Sequence, residues 1–331
     1  MTNLTVSDIK NQYFPCLDAG FVALVDCMGG DEDVLRAARV SYGAGTKSVN
    51  SDRGLLRYLM RSRHSTPFEA VVLKFHLKLP IFVARQLVRH RTQALSEYSM
   101  RYSLAPMQFY NPEFENFQKQ SKSNRQGRTD QADRDVYDRV RTMWERLQFE
   151  CSELYKYELA EEIARELARI HLPLSLYTEW YATINLHNLF HLLGLRSDKH
   201  AQWECQQFSN LKAGIAKVVA PLAFEAWIDY RHCATSLSRM EWNMLRKLVQ
   251  KWPDDSGISH NQDQYGAFIG VEDLASAGLD KREIGELLAK FSSIDDVPVP
   301  DYTLDLSQAK TPEYFLEQAK AAVPVIPERK P

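Results

Sequence analysis

The chain has 331 residues, 44% of them apolar, which is enough core for one large domain or two modest ones. Its 41 basic and 43 acidic side chains leave a net charge of −2. That balance excludes a general pull toward nucleic acid or acidic membranes, so any anion site has to be gathered locally from a few arginines. The longest apolar stretches, such as residues 79–83, are too short to span a bilayer, and residues 1–12 lack the charged start and apolar run of a signal peptide. A cytoplasmic protein is expected. Cys16, Cys27, Cys151, Cys205 and Cys233 are odd in number, widely spread and without C-x-x-C pairing, and read as reduced structural thiols.

In chain order, residues 21–25 form a short β-branched run that ends at Met28-Gly29-Gly30. Residues 31–42 have helical spacing with Val34, Leu35, Ala38 and Val40 facing inward, and residues 52–62 predict a second helix burying Leu55, Leu56 and Leu59. Residues 70–79 alternate. Val71, Leu73, Phe75, Leu77 and Leu79 share one face and Lys74, His76 and Lys78 the other, the pattern of a half-buried strand. Pro80 ends it and suits the first turn of a helix, where its missing N–H has no partner to lose. That helix is expected over 81–90, with Gln86, Arg89 and His90 close together on its surface.

Residues 97–103 read as extended. Residues 113–135 are polar and almost free of aliphatics, and predict a mobile surface insertion. Helices are expected over 136–158, 160–171, 179–196 and 200–231, the last interrupted at Pro221. After His232 the character shifts: residues 239–252 and 280–291 predict helices, the second opened by Asp280 and Glu283 in capping-box spacing, among loops rich in Gly, Asp and Pro. The expected organisation is one α/β (α+β) domain over residues 1–233, with a mixed central sheet and long helices, followed by a mainly helical C-terminal extension over 234–331 whose role the sequence does not give.

The chemistry concentrates between residues 86 and 103. An extended 97–103 sets Glu97, Ser99, Arg101 and Ser103 on one face and Tyr98, Met100 and Tyr102 on the other. Arginine forks grip phosphate in a bidentate way, and Glu and Ser hydrogen-bond sugar or base edges. Gln86, Arg89, His90 and Arg91 lie just upstream. For an isolated R-x-R a solvated charged turn is the better reading; the fuller string changes that. Arg89-His90-Arg91, seven residues and then Ser99 resembles the signature of the flavin-dependent thymidylate synthases. His64-Ser65-Thr66-Pro67-Phe68-Glu69, residues 80–86 and residues 36–41 resemble that family's preceding blocks. Ala168-Arg169-Ile170, Asn185, Leu195-Arg196-Ser197-Asp198 and residues 200–204 resemble its later ones, so the likeness runs through residues 19–232. Ala94 and Ser96 depart from it, standing where many members have Ser and Asn.

The resemblance implies reductive methylation of dUMP to dTMP, with methylenetetrahydrofolate supplying the carbon, FAD the hydride, and NADPH reloading the flavin. It implies flavin contacts at Arg89, His90, Arg91, Glu97, Thr66, Asn185, His187 and His191, with His64 and Ser41 nearby. It implies a dUMP site built from Gln86, Arg89, Glu97, Ser99, Arg101, Arg169 and Arg196. Arg196 matches the residue credited with polarising the uracil. A homotetramer with shared active sites is implied as well. Ser99 is read as a hydrogen-bonding group, because no histidine within the motif activates it as a nucleophile. His187 and His191 have metal-ligand spacing, but a zincin would have Glu where this chain has Asn188, so no metal is expected. Two other functions stay open: flavin-dependent hydroxymethylation or another pyrimidine modification on the same fold, and, more distantly, an RNA-binding helix and strand over 81–103.

Overall fold

The computed structural model describes residues 4–40, 52–122, 126–250 and 299–327, together with Ile284, and for residues 246–250 the backbone alone. The chain divides into two compact units: residues 1–231 with 301–331, and residues 232–300. The first opens with helix α1 (Val6–Ile9) and contains a five-stranded sheet. Its strands are β1 (Tyr13–Cys16), β2 (Gly20–Met28), β3 (Val72–Pro80), β4 (Ala94–Glu97) and, later in the chain, β7 (Tyr177–Asn185), in the order β1-β2-β3-β7-β4. Each neighbouring pair is antiparallel.

The alternation of β3 is real. Leu73, Phe75, Leu77 and Leu79 are fully buried, each contributing on the order of 2 kcal/mol of apolar burial. They pack in the layer of helix α8 (Trp203–Val219), whose Lys212 lies 5.3 Å over the Phe75 ring. The opposite face is less open than its charges suggest. Lys78 is only 1% exposed: its ammonium donates to Gln108 Oε1 and lies 5.8 Å over the Tyr177 ring, so burial lowers its pKa. His76 stacks on Tyr181 at 4.5 Å.

Several expectations are corrected. Residues 177–185, expected as part of a helix over 179–196, are strand β7, which pairs with β3 from Val72↔Asn185 to Pro80↔Tyr177. Aromatic and β-branched side chains fit this pleated central position, with Trp180, Ala182 and Ile184 buried on one face. Helix α7 (Leu186–Arg196) starts only after Asn185, whose Oδ1 accepts from the Asn188 N–H at 2.9 Å as its N-cap. Helix α2 (Asp31–Arg39) stops before Val40, which is 81% exposed rather than inward. Helix α3 (Asp52–Arg61) buries Leu55, Leu56 and Leu59 as expected, and Met60 as well.

Residues 113–135 are not a bare loop. They hold a two-stranded hairpin, β5 (Gln118–Gln120) and β6 (Arg128–Gln131), and Phe114 and Phe117 pack edge-on against Tyr137 of helix α5 (Arg134–Ala160). Arg128 bridges to Glu204 at 3.1 Å, and Glu204 is 3% exposed. The helix expected over 160–171 shrinks to α6 (Arg165–Ala168) and a 3-10 turn (Arg169–His171). After α8 the chain breaks at Pro221 into α9 (Pro221–Trp227) and a π-helical turn (Ile228–His232).

The extension expected over 234–331 is not one piece. In the second unit α10 (Arg239–Gln250) is described, opened by reciprocal bonds between Ser238 and Glu241; the helix expected over 280–291 lies outside the described residues except for Ile284. Residues 301–327 belong to the first unit. Lys310 pairs with Tyr13 beside β1, Phe315 of helix α11 (Pro312–Ala322) sits 4.6 Å from the Phe21 ring, and the Ala322 carbonyl accepts from Met107 N–H at 2.8 Å. Among the described residues no helix is long and apolar enough to cross a membrane.

Candidate active site

Strand β3 delivers the chain through Pro80 into helix α4 (Ile81–Leu87), which ends three residues earlier than its sequence pattern suggests. The Arg89 and His90 N–H groups turn back onto the carbonyls of Gln86 and Leu87, and Gln93 Nε2 donates to the Leu87 carbonyl at 2.8 Å. That side chain takes the place of a further helical turn and sends the chain back into β4. Arg89-His90-Arg91 therefore lies on a tight turn, with the two arginines exposed and His90 only 8% exposed between them.

Arg196, the last residue of α7, reaches this turn. Its Nε donates to His90 Nε2 at 2.9 Å, its Nη2 to the Gln86 carbonyl at 3.2 Å, and its Nη1 more weakly to Gln86 Oε1 at 3.5 Å. Gln86 in turn donates to Gln202. A guanidinium has only donors, so His90 Nε2 is the acceptor and the imidazole proton sits on Nδ1. Burial, helped by the cations of Arg196 and Lys212 and by His191, pulls the His90 pKa down to about 4, which keeps the ring neutral at ordinary pH. Arg196 is thus held in place without a carboxylate, and its full positive charge and remaining N–H donors are available to a ligand.

His191, exposed and one helical turn after His187, has its ring 6.2 Å from that of His90. With His64 and His187 it lines a cleft of about 470 Å³ whose apolar walls include Phe68, Phe190 and Trp227. This volume and mixture of aromatic wall and convergent imidazoles are those of a small-molecule or cofactor site. Thr66 opens the 3-10 turn (Thr66–Ala70) that follows His64, and Asn185 caps the helix carrying His187 and His191. Glu97 Oε1 accepts from Thr178 Oγ1 at 2.8 Å across β4 and β7.

The rest of the expected nucleotide site is arranged differently. Residues 97–103 do not stay extended: β4 ends at Glu97, and the N–H groups of Tyr102 and Ser103 bond the Ser99 carbonyl in a tight turn. Ser99 Oγ accepts from Arg101 N–H at 3.4 Å, and the Arg101 guanidinium meets Glu166 at 3.0 Å with both side chains more than half exposed. Arg169 lies half-buried in the 3-10 turn after α6. Among the described residues, none of these three joins the Gln86–His90–Arg196 group directly. Ser41 lies outside the described residues.

Some contributors were not anticipated. Gln202 fixes the Gln86 amide, though it stood in a recognised block. Lys212 is fully buried with no hydrogen-bond partner for Nζ among the described residues, and burial lowers its pKa to about 8. A lysine within the run Leu211 to Ala216 was the only signal for it. Cys205 is buried, and burial above all, with Glu204 adding to it, raises its thiol to about 11, against the opposing cations Arg196 and Lys212. None of the five cysteines is disulfide-bonded.

A guanidinium fixed by a neutral imidazole, next to an aromatic and histidine-lined cleft on an antiparallel α/β scaffold, is an arrangement suited to an anionic, planar ligand. The model of the thymidylate synthase complementing protein family matches residues 23–222. Flavin-dependent thymidylate synthases are similar over most of their length. That of Gluconobacter oxydans is 44% identical over 291 residues, 86% of this chain and 90% of the relative, and that of Treponema denticola is 47% identical over 246 residues, 74% and 92%. A solved UMP/dUMP methylase of Streptomyces cacaoi bound with 5-Br dUMP aligns with a TM-score of 0.59 at 34% identity, covering 64% of this chain and 95% of that one. The chain belongs to the flavin-dependent thymidylate synthase family.

Proposed function

We propose that the protein converts dUMP to dTMP, taking its one-carbon unit from methylenetetrahydrofolate and using FAD and NADPH. The observation that carries the reading is Arg196, held by Gln86 and the neutral His90 beside the histidine-lined cleft. The cleft's donor set fits a flavin: aromatic walls to receive a planar ring, and His64, His187 and His191 to hydrogen-bond its polar edge. Arg89 and Arg91 are exposed on the turn that carries His90, and add positive charge for the cofactor's anionic parts. Bound flavin supplies hydride chemistry that no side chain can.

The chain's own residues then handle the nucleotide. Arg196 against the N3–O edge of the uracil favours negative charge on the ring and so makes C5 nucleophilic. Such a preorganised donor is typically worth about 10²–10³ in kcat. A neutral His90 supports this, since a second positive charge would repel the guanidinium it positions. Gln86, Glu97 and Ser99 hydrogen-bond the base and sugar, and Arg101 and Arg169 take the phosphate. The exposed Arg101–Glu166 pair is worth at most about 1 kcal/mol, so exchanging Glu166 for a phosphate is cheap.

Assembly into a homotetramer with shared sites is part of the same reading. Arg89, Arg91 and Arg101 are exposed in the single chain, and α5 presents Met143, Leu147, Leu154 and Tyr157, between 41% and 67% exposed, as an apolar face for a second copy. A cytoplasmic location goes with it.

Purified protein should take up FAD, showing an oxidised-flavin spectrum, and oxidise NADPH at a rate that dUMP alters. Protein that neither takes up FAD nor consumes NADPH refutes the reading. The Streptomyces cacaoi enzyme is described as a methylase of UMP as well as dUMP, so both nucleotides belong in the assay. A 5-hydroxymethyl product would move the assignment to hydroxymethylation.

A further inference from the structure

The cleft holds two cations that the reading above does not use, Arg63 and Arg231. Arg63 sits where helix α3 ends. The His64 N–H bonds the Leu59 carbonyl at 2.9 Å and the Arg63 N–H bonds the Met60 carbonyl at 3.3 Å, the bond pair of a Schellman motif. The motif needs a left-handed residue between helix and loop, and Arg63 supplies it with φ 61°. Glycine takes that conformation without strain, whereas a residue with a Cβ does so at a cost of about 1 kcal/mol or more. The motif itself does not require a long cation at this position, since glycine meets its backbone geometry without strain.

Arg231 approaches from the π-helical turn that follows α9. One of its Nη2 donors goes to the same Met60 carbonyl at 3.0 Å, so both residues are anchored on the exposed end of α3. The two guanidiniums are close enough that Arg63 adds to the effect of burial in lowering the Arg231 pKa. Among the described residues neither makes an ion pair with a carboxylate, and those that line the cleft include none. On helix α3, by contrast, Arg53 and Arg57 share Glu225, and Arg57 also meets Asp229. Two mutually repelling cations facing an aromatic cleft, one of them held in a strained backbone conformation, are arranged for an anion that arrives with a ligand.

We propose that Arg63 and Arg231 form a seat for a phosphate-class anion at the cleft. The proposal rests on the flavin reading for its sources, which are the diphosphate of FAD or the ribose phosphate that distinguishes NADPH from NADH. The chemistry they share is a multiply charged phosphate gripped by two guanidinium forks.

The test uses the full-length chain, stripped of flavin, as wild type, Arg63→Gly and Arg231→Gln. Arg63→Gly removes the cation and relieves the backbone, so its unfolding midpoint without ligand should be unchanged or higher. Its affinity for inorganic pyrophosphate, measured calorimetrically, should nevertheless fall about tenfold, equivalent to about 1.4 kcal/mol. Arg231→Gln should show the same loss. A lower FAD affinity with unchanged riboflavin affinity assigns the seat to the flavin diphosphate. A lost preference for NADPH over NADH assigns it to the dinucleotide. Wild-type protein that binds pyrophosphate but not FAD refutes the flavin reading and leaves the seat standing. If the pyrophosphate affinity, the FAD to riboflavin ratio and the NADPH preference all survive in both variants, the seat does not exist. A lower unfolding midpoint for Arg63→Gly also overturns it, because Arg63 would then be serving the fold.

Discussion

Acidification should break the site from within by protonating His90. In the folded chain this imidazole titrates at about 4 against an ordinary 6.5, because it is buried and faces Arg196. Between those values the unfolded chain binds a proton that the folded chain refuses. Stability therefore rises with pH across the window, is complete above about pH 6.5, and is lost as pH falls toward 4. The full gap corresponds to about 3 kcal/mol, and stopping at about pH 5 draws out about 2 kcal/mol of it. The perturbation is a shift from about pH 7.5 to about pH 5, applied to wild type and to His90→Gln, which keeps an acceptor for Arg196 without a titrating group. Urea unfolding at fixed protein concentration, so that assembly contributes equally, should show wild type losing about 2 kcal/mol more than the variant. Nitrogen NMR at about pH 6 should find the proton on Nδ1 and none on Nε2. Parallel pH profiles, or an imidazole that titrates at its ordinary value, would refute the argument that burial and Arg196 hold this ring neutral.

Arg196→Ala should lower kcat for dTMP formation by about 10²–10³ while flavin affinity stays within a few-fold, and Arg91→Ala should weaken flavin binding first. Titrations in which both variants lose the same ligand would show that the division of roles is wrong. Replacing all five cysteines by Ser or Ala according to burial should leave dTMP formation within about an order of magnitude, or about 1.4 kcal/mol of barrier. A single flavin-loaded Cys variant that loses activity about a thousandfold would mean that a thiolate attacks the ring. Gly214→Ala should destabilise by about 1–3 kcal/mol, although helix propensity alone forecasts a gain of about 1 kcal/mol. Its Cβ would lie 2.8 Å from Leu304 Cδ2 and 2.9 Å from the Tyr302 carbonyl oxygen. A raised melting temperature would show that the tail does not lie over α8 in solution.

How much of this was legible depended on whether a residue's environment is local. The inward face of β3 was readable because Leu73 to Leu79 alternate without interruption. Strand β7 was not, because no Gly or Pro separates it from α7 and only Asn185 marks the boundary. Lys78 looked like a solvent marker, yet its ammonium is satisfied by Gln108, 30 residues away. The hairpin over 118–131 was hidden by polar composition, since its anchors, Phe114 and Phe117, find their partner only in α5. In the site, the signature Arg89-His90-Arg91 and Arg196 were visible as residue types in order, but the bond joining His90 to Arg196 spans 106 positions. The positive φ of Arg63 leaves no local trace, and the burial of Lys212 only the small apolar neighbours around it.

The identity of the spent folate tests the central claim most directly. If the hydride comes from the flavin, methylenetetrahydrofolate gives up only its carbon unit and leaves as tetrahydrofolate. If the folate itself supplies the hydride, it leaves oxidised as dihydrofolate. A complete reaction of the purified protein with dUMP, methylenetetrahydrofolate, FAD and NADPH, resolved by chromatography and mass spectrometry, should contain dTMP and tetrahydrofolate in equal amounts. Dihydrofolate formed in step with dTMP would contradict the account.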